Sequence, residues 1–262
     1  MRLETPSYWS NKVVLVTGAS SGIGRGLATE LARRGAAVGL LARRADTLQE
    51  IVKEIEAAGG QAIALPADVT DEQAVRRAVA DLVAKFGPVD VLFANAGIGG
   101  GAAHASKLDA SVVASVIDVN VKGVVNSVAA VIGDMVKRRQ GQLVVISSIA
   151  AYRGLPKSAA YCSSKAAVSA FFESLRLDLH GSGVDVTIIH PGFIRTPLTA
   201  GRKARLPWLM EVDEAVNKML WATEARKKSY AFPWQLATVM RASMIMPNFM
   251  YDWISRRNSL RE

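Results

Sequence analysis

Several features are scarce or missing in this sequence of 262 residues, and each absence excludes a class of protein. Cys162 is the single cysteine, which excludes an internal disulfide and is typical of a reducing compartment. The N-terminal segment has no apolar stretch of the signal-peptide kind, and no run reaches the roughly 18 apolar residues that a membrane span needs. Repeats of about 20 to 50 residues are also missing. We therefore expect one cytoplasmic domain over residues 1–262.

Apolar residues, by contrast, are abundant at 50% of the chain, enough for a large core. Apolar, β-branched runs alternate with segments whose apolar residues recur at helical spacing. This alternation predicts an α/β domain, doubly wound, with a parallel sheet of about seven strands and helices on both faces. The strands that we can place are 13–16, 37–42, 62–65, 89–94, 143–147 and 184–190, and the longer helices are 47–58, 71–86, 109–139 and 159–180.

A glycine-rich turn lies between the first strand and a helix. Residues 17–24 read Thr-Gly-Ala-Ser-Ser-Gly-Ile-Gly. Glycine allows a tight turn and the close approach of a pyrophosphate, while the helix N-terminus offers unpaired N–H groups. The turn therefore indicates a dinucleotide site, the alternative being a turn of purely structural value.

Tyr161 and Lys165 are four positions apart on a predicted helix, so both side chains lie on one face. A phenol ordinarily titrates near a pKa of about 10. A neighbouring ammonium stabilises the phenolate and lowers that pKa, which makes tyrosine a usable general acid or base at neutral pH. Taken alone, the same spacing also fits two ordinary surface neighbours.

Five motifs occur together in order: the turn at 17–24, Asn95-Ala96-Gly97 after the fourth strand, then Ser148, Tyr161 and Lys165. In this order and spacing they resemble the short-chain dehydrogenase/reductase family, in its single-domain branch, from about residue 13 to residue 197. The resemblance implies a Rossmann-type fold in which 195–262 supply a substrate lid and a C-terminal extension. It also implies hydride transfer between a nicotinamide and a carbonyl or alcohol.

The resemblance implies roles for four catalytic residues. Tyr161 would exchange a proton with the substrate oxygen, Ser148 would hydrogen-bond that oxygen, and Lys165 would hold the nicotinamide ribose and lower the pKa of the phenol. Asn120 would position a water that links Lys165 to solvent, although a buried asparagine in an apolar helix could instead be a structural hydrogen bonder. Ser147 competes with Ser148 for its role, and the family's thirteen-residue offset to Tyr161 favours Ser148.

The second strand ends without an acidic residue and is followed by Arg43 and Arg44. An acidic side chain there would repel the 2′-phosphate of NADP, whereas a guanidinium binds that phosphate with two hydrogen bonds. This pattern predicts NADP(H), with Arg43 as the main contact and Arg44 as a second; both could instead be solvated loop arginines. In the family, Asp68 holds the adenine, Asn95 steadies the sheet and the segment after Pro191 holds the carboxamide. The predicted cofactor contacts are Gly18, Ser20, Ser21, Gly22, Ile23, Gly24, Arg43, Arg44, Asp68, Val69, Asn95, Ala96, Gly97, Tyr161, Lys165, Pro191, Gly192, Ile194 and Thr196.

The three histidines, His104, His180 and His190, are not spaced as metal ligands. His190 lies between a strand and Pro191, so we interpret it as a strand-end residue. We predict no metal site.

Substrate walls in the family come from the segments after Ser148 and after Thr196. Their side chains are mostly apolar, which predicts a hydrophobic ketone or alcohol; several could instead pack a lid or a subunit contact. The residues concerned are Tyr152, Leu155, Phe193, Leu198, Leu206, Trp208 and Met210.

The chain carries a net charge of +9, and residues 201–262 hold eleven Lys and Arg against six Asp and Glu. Basic residues beside Trp253 and other apolar side chains indicate peripheral contact with an anionic membrane. The alternative is a tail docked on its own domain or on a neighbouring subunit. Nucleic acid is not expected, because no recognised binding motif appears. The resemblance implies a homodimer or homotetramer that pairs through helices 109–139 and 159–180.

Two functions follow from these patterns. The first is an NADP(H)-dependent oxidoreductase acting on a hydrophobic carbonyl or alcohol. The alternative is a non-catalytic dinucleotide-binding sensor or scaffold that keeps the fold. The presence of both Tyr161 and Lys165 favours the enzyme.

Overall fold

Runs of buried aliphatic residues form a parallel sheet, as the sequence predicts. The computed structural model describes residues 7–101, 104–200 and 206–259, with side chains through residue 255. Within those ranges the sheet has seven strands, in the order β3-β2-β1-β4-β5-β6-β7. They are β1 (Val13–Thr17), β2 (Ala37–Ala42), β3 (Gln61–Pro66), β4 (Val91–Ala94), β5 (Gly141–Ile146), β6 (Val184–Pro191) and β7 (Ser229–Phe232).

Helices pack on both faces of this sheet, which makes the fold doubly wound. They are α1 (Gly22–Arg33), α2 (Ala45–Ala57), α3 (Glu72–Phe86), α4 (Ala110–Ile117), α5 (Gly123–Arg138), α6 (Ala159–Asp178), α7 (Val212–Glu224), α8 (Trp234–Ile245) and α9 (Asn248–Ser259). One buried cluster joins α1, α2 and α7 to the sheet, and a second joins α3, α5 and α6 to its other face.

The order of the strands determines where a ligand can bind. Val14 of β1 lies opposite Val38 of β2 on one side and opposite Val91 of β4 on the other. The chain therefore leaves β1 toward β2 and β3, and later returns to the other side of β1 to build β4 through β7. Parallel sheets bind ligands beyond the carboxyl ends of the strands at such a reversal.

The six predicted strands agree with the observed ones to within two residues at each end. The predicted helix 109–139 is wrong in one respect, because it is not a regular α-helix throughout. A π-helical turn, Asp118–Lys122, separates α4 from α5. Single π turns inside α-helices frequently mark functional sites, and this one contains Asn120.

By length and composition alone, the segment Ala110–Arg138 could also cross a membrane. The sequence analysis did not predict this candidate span. Of its most apolar window, 44% is buried inside the domain. It packs against α3 and the sheet, so burial in the domain accounts for the apolar character of one face of this segment.

Helix α8 lies beside β7 and the segment after β5, and α9 is joined to that same segment by hydrogen bonds. Of the predicted lid and extension at 195–262, residues 201–205 and 260–262 lie outside the described residues, as do the side chains of Arg256 and Arg257. The described remainder is helical apart from β7 and short connections.

Candidate active site

The glycine turn connects β1 to α1 and leaves its backbone open to a ligand. Gly18 has a φ of +68°, and a Cβ there would lie 2.8 Å from the Cα of Ala96. A Cβ at Gly24 would overlap the carbonyl oxygen of Gly18. Ser21 precedes α1 and makes no side-chain capping bond to it, so the first N–H groups of the helix are not satisfied by their cap. This arrangement fits a pyrophosphate group.

One cleft of about 540 Å³ runs along the carboxyl ends of the central strands. It brings together all of the predicted cofactor contacts, from Gly18 in the glycine turn to Thr196 after β6. Ser148, Tyr161 and Lys165 line the same cleft, whereas Asn120 is buried behind its wall. The motifs that are separated in sequence therefore form a single site.

Asn95 ties the glycine turn to β4. Its Nδ2 donates to the carbonyl oxygen of Thr17 at 2.8 Å, and its backbone N–H donates to Thr17 Oγ1 at 3.0 Å. The Ala96 N–H donates to the same Oγ1 at 3.0 Å. These contacts hold β1 and β4 together at the floor of the cleft, where the resemblance expects Asn95 to steady the sheet.

Arg43 and Arg44 both line the adenosine end of the cleft, but they are held differently. Arg44 Nη2 donates to the carbonyl oxygen of Ser20 at 3.0 Å and lies 3.1 Å from its Oγ. Arg43 is 72% exposed, and its Nη1 lies 3.8 Å from Asp68 Oδ2. Asp68 is oriented by Thr70, whose N–H and Oγ1 both donate to Asp68 Oδ1 at 2.9 Å. Arg44 is thus tied to the glycine turn, while Arg43 remains largely open to solvent.

Lys165 lies on α6 next to Tyr161, as predicted from their spacing. Its Nζ is 5.8 Å from the centre of the Tyr161 ring and donates to the carbonyl oxygen of Ile146 at 2.8 Å. Only 5% of the residue is exposed, and this burial lowers the pKa of Lys165 to about 8. The amine is still protonated at neutral pH, although with a smaller margin than an exposed lysine.

Ser147 and Ser148 are distinguished by their hydrogen bonds. Ser147 Oγ donates to the Lys165 carbonyl oxygen at 3.0 Å and lies 2.7 Å from Ser169 Oγ. Ser148 Oγ accepts from the Ala150 N–H at 3.1 Å, which leaves its own O–H to donate. The hydroxyl of Ser147 is therefore bonded to α6, and Ser148 is the serine whose hydroxyl can donate a hydrogen bond to a ligand oxygen.

The amide of Asn120 is fully buried and forms three hydrogen bonds. Its Oδ1 accepts from the Ile98 N–H at 2.8 Å, and its Nδ2 donates to the Ile98 carbonyl oxygen and to Ser164 Oγ, each at 3.0 Å. Ser164 in turn donates to the Tyr161 carbonyl oxygen at 2.8 Å. Asn120 thus connects the loop after β4 to the helix that carries Tyr161, which matches the structural alternative for this residue. The predicted water contact can use only the second lone pair of Oδ1 or the backbone.

The predicted nicotinamide end of the cleft follows β6. The Gly192 N–H donates to the Phe232 carbonyl oxygen at 2.7 Å, which joins this segment to β7. The Thr196 N–H donates to Thr199 Oγ1 at 3.0 Å, and Thr199 Oγ1 also donates to the Ile194 carbonyl oxygen at 2.7 Å. This short turn after β6 is therefore held by its own hydrogen bonds.

Three of the seven predicted substrate-wall residues, Leu155, Phe193 and Leu198, line the cleft. The other four do not. Tyr152 stacks on His190, with ring centres 4.8 Å apart, and Met210 is buried in the core, where it pairs with Ile194. Leu206 and Trp208 are described but lie off the cleft wall, and Trp208 is about half exposed.

His190 is a buried strand-end residue, as we interpreted it. Burial, followed by the nearby charge of Arg241, lowers the pKa of His190 to about 4, so the ring is neutral at neutral pH. The residues that the structure describes contain no cluster of three His, Cys, Asp or Glu side chains that could hold a metal ion. Cys162 is buried, which limits access of reagents to its thiol.

The sequence reading missed several wall residues. Ile98 and Gly99 directly follow the predicted Asn95-Ala96-Gly97, so their place in the chain was a usable signal. Ala42, Ala67 and Ile146 lie at or directly after the carboxyl ends of β2, β3 and β5, where parallel topology alone favours a place in the cleft. Val119 in the π turn and Ser158 directly before α6 had no such signal, whereas Ile149, Ala150, Pro197 and Thr199 lie in the two segments that were expected to form the substrate wall.

Comparison with known proteins gives a consistent result. The sequence profile of the family described as short chain dehydrogenase matches residues 12–206, a range that contains every predicted catalytic and cofactor-binding residue. An uncharacterized oxidoreductase of Myxococcus xanthus is 44% identical over 248 residues, which are 95% of this chain and 98% of that protein. A solved 3-ketoacyl-ACP reductase from Sinorhizobium meliloti has a TM-score of 0.76 at 34% identity, over 84% of this chain and 96% of that chain. A short chain dehydrogenase from Mycobacterium paratuberculosis, bound to NAD, has a TM-score of 0.77 at 26% identity, over 85% and 96% of the two chains.

Proposed function

Because this chain belongs to the short-chain dehydrogenase/reductase family, we propose that it is an NADP(H)-dependent oxidoreductase acting on a carbonyl or alcohol. The observation that carries this proposal is the shared cleft, in which Ser148, Tyr161 and Lys165 face the same space as the glycine turn. A sensor or scaffold has no need for that juxtaposition.

The residues fit a nicotinamide dinucleotide. The turn at 17–24 has glycine where a Cβ would collide with backbone, and the α1 N-terminus presents N–H groups beyond its cap. When bound, the nicotinamide supplies or accepts the hydride. Lys165 and the segment from Pro191 to Thr196 would hold that half of the cofactor, with Asp68 and the two arginines at the other half.

In the reductive direction, the carbonyl carbon receives hydride and the carbonyl oxygen must receive a proton. Tyr161 Oη donates that proton, and Ser148 donates a hydrogen bond that stabilises the charge developing on the oxygen. The ammonium of Lys165 stabilises the phenolate that Tyr161 becomes. Asn120 holds α6 in register, and a water near it returns the proton from solvent. The oxidative direction reverses each transfer.

A substitution of Tyr161→Phe tests this mechanism. It removes the proton donor and keeps the ring, so carbonyl reduction followed by NADPH absorbance should fall by about a hundredfold or more. NADPH affinity, measured by fluorescence, should be retained and shows that the variant still folds. Reduction at the wild-type rate by Tyr161→Phe would refute the role of Tyr161 as the proton donor, whereas a wild type that binds NADPH and reduces no ketone would favour the sensor or scaffold.

The preference for NADP(H) rests on Arg43 and Arg44. β2 ends at Ala42 with no acid to bind a ribose, and both guanidinium groups border the cleft. The solved relative from Mycobacterium paratuberculosis is bound to NAD, so the preference of this chain depends on its own residues after β2. NADPH should raise the melting temperature more than NADH in the wild type, and Arg43→Ala should remove most of that difference. An equal response to both cofactors would contradict the preference.

The substrate that we propose is hydrophobic, because Leu155, Phe193 and Leu198 line the same cleft as Ser148. A panel of aliphatic, aromatic and steroid ketones, together with a 3-ketoacyl thioester, would define the class through NADPH oxidation. The thioester is included because a solved relative is a 3-ketoacyl-ACP reductase. Preference for short polar ketones would contradict the proposal.

We propose a cytoplasmic homodimer or homotetramer that pairs through α4–α5 and α6. Val112, Val125 and Leu177 on these helices are exposed in the single chain, which is consistent with a covered surface in an oligomer. Light scattering after gel filtration would measure the mass, and a monomer would contradict the proposal.

Peripheral contact with an anionic membrane remains a separate proposal. It is supported by the exposure of Trp234, Ile245 and Phe249 on α8 and α9. Co-sedimentation with vesicles of anionic and of neutral lipid would test it, and equal recovery in the supernatant of both would overturn it.

A further inference from the structure

The C-terminal helices are fastened to the loop that follows the catalytic serine. Arg153 Nη1 donates to the carbonyl oxygens of Ser243 at 2.5 Å and Met246 at 3.0 Å, and Arg153 Nη2 donates to Asn248 Oδ1 at 2.7 Å. A longer contact of 3.3 Å joins Nη1 to the Met244 carbonyl oxygen. One side chain thus contacts both the end of α8 and the start of α9.

The chemistry of these contacts favours arginine. Carbonyl groups at the end of a helix lack partners within the helix and carry partial negative charge, so a cation with several donors stabilises them. A planar guanidinium offers five N–H donors in a fixed arrangement, which lysine cannot reproduce.

Tyr251 of α9 completes the attachment. The Arg153 guanidinium lies 4.3 Å from the centre of the Tyr251 ring, and Tyr251 Oη donates to the Gly154 carbonyl oxygen at 2.5 Å. We call these contacts of Arg153 and Tyr251 the C-terminal clasp.

The same helices support the apolar wall of the cleft. Leu236 and Met240 of α8 form a buried cluster with Ile149, and Leu155 and Phe193 pack against it. Ile149, Leu155 and Phe193 also line the cleft. The wall is therefore one layer of side chains, with the cleft on one side and α8 on the other.

We propose that Arg153 is a positioning residue that, through the C-terminal clasp, holds α8 against this wall and so determines how the substrate pocket is shaped. The inference rests on the proposed function, because it concerns the pocket of that same site. If the clasp is released, α8 no longer supports Ile149 and Leu155, and the pocket loses its packed shape. Substrate affinity then falls, whereas the glycine turn and Arg44 still bind the cofactor.

The test compares Arg153→Ala with Arg153→Lys, Tyr251→Phe and a matched control, Arg138→Ala. Arg138 also joins a helix to a backbone carbonyl oxygen, that of Val89 at 2.7 Å, but Val89 lies near the amino end of β4, away from the cleft. Steady-state kinetics would use the most responsive ketone of the panel. Amide hydrogen exchange with NADPH bound would measure the segment 149–155 without relying on activity.

For Arg153→Ala we expect KM for the ketone to rise about tenfold, the equivalent of one or two hydrogen bonds, with a smaller change in kcat. The affinity for NADPH should be unchanged, and amide exchange should accelerate in both 149–155 and 236–251. Arg153→Lys should recover only part of the loss, Tyr251→Phe should show a weaker form of it, and Arg138→Ala should show none.

Two results would overturn the proposal. Faster exchange confined to α9, with KM and the exchange of 149–155 unchanged, would mean that the clasp holds only the tail. An equal loss of NADPH affinity would mean general destabilisation. If Arg153→Ala does not fold, Tyr251→Phe and Arg153→Lys decide by the same criteria. NADPH binding with no ketone reduced by the wild type would refute the proposed function, while the exchange data would still report on the clasp.

Discussion

Replacing Asn120 tests how a buried amide supports the catalytic helix. Asn120→Ala removes three hydrogen bonds of 2.8 to 3.0 Å and leaves the Ile98 N–H, the Ile98 carbonyl and the Ser164 hydroxyl without that partner. A buried hydrogen bond contributes about 1 kcal/mol net, and unpaired buried groups add to the cost. We therefore expect the free energy of unfolding to fall by about 3 kcal/mol or more, which for a chain of this size lowers the melting temperature by about 6 to 12 °C.

Asn126 provides a matched control on α5. It is also buried, but its Nδ2 makes a single hydrogen bond, to the Val69 carbonyl oxygen at 2.8 Å. Asn126→Ala should cost about 1 kcal/mol. Asn120→Asp adds a second comparison, because it keeps the shape and the acceptor oxygen and loses both donors.

Denaturant unfolding followed by circular dichroism would measure these free energies, and kcat would report on the site. Asn120→Ala should lower kcat because Ser164 and the Tyr161 backbone lose their anchor to the loop after β4. If Asn120→Ala is no less stable than Asn126→Ala, or if Asn120→Asp matches the wild type, the reasoning from the hydrogen bonds is refuted.

Two further predictions concern pH. The pKa of His190 is about 4 in the fold and 6.5 in the unfolded chain, so the unfolded chain takes up the proton first as the pH falls. The free energy of unfolding should therefore be unaffected by His190 above pH 6.5 and should fall by ~3 kcal/mol between pH 6.5 and about 4. His190→Gln should lack this acid loss in urea titrations at several pH values, and a parallel loss in both proteins would contradict the assignment. For Lys165 the pKa is about 8 in the fold and 10.5 in the unfolded chain, so between these values the unfolded chain is protonated and the fold is not. The free energy of unfolding of the wild type should therefore fall by ~3 kcal/mol relative to that of Lys165→Met as the pH falls from 10.5 to about 8. A difference between the two that does not vary with pH would show that Lys165 is not desolvated.

Sequence reasoning predicted the sheet and the cleft well for a physical reason. Parallel strands covered on both faces require continuous apolar runs, and β1 through β5 contain them, whereas Asp185 and Thr187 interrupt the run in β6. The carboxyl ends of such strands meet at one edge, so the glycine turn, Asn95 and Ser148 had to converge. Tyr161 and Lys165 needed only helical spacing.

The features that were missed depend on tertiary contacts. The π turn around Asn120 accompanies hydrogen bonds to Ile98 and Ser164, which are distant in sequence. Tyr152 was expected on the cleft wall, yet it stacks on His190 while Arg241 lies 5.6 Å from its ring centre on α8. No local pattern in the sequence reports such partners.

Several contacts together restrain the loop after β5. At its start, Ser148 faces the cleft with Ala150 bonded to its Oγ. In its middle, Tyr152 is held between His190 and Arg241, and Arg153 grips the end of α8. Further along, the Leu155 N–H contacts Cys162 Sγ at 3.4 Å, one residue from Tyr161 on α6. Since each attachment restrains the same short loop, the proposed role of the C-terminal clasp needs no contact between the tail and the substrate, because the loop backbone joins Arg153 to both Ser148 and Leu155.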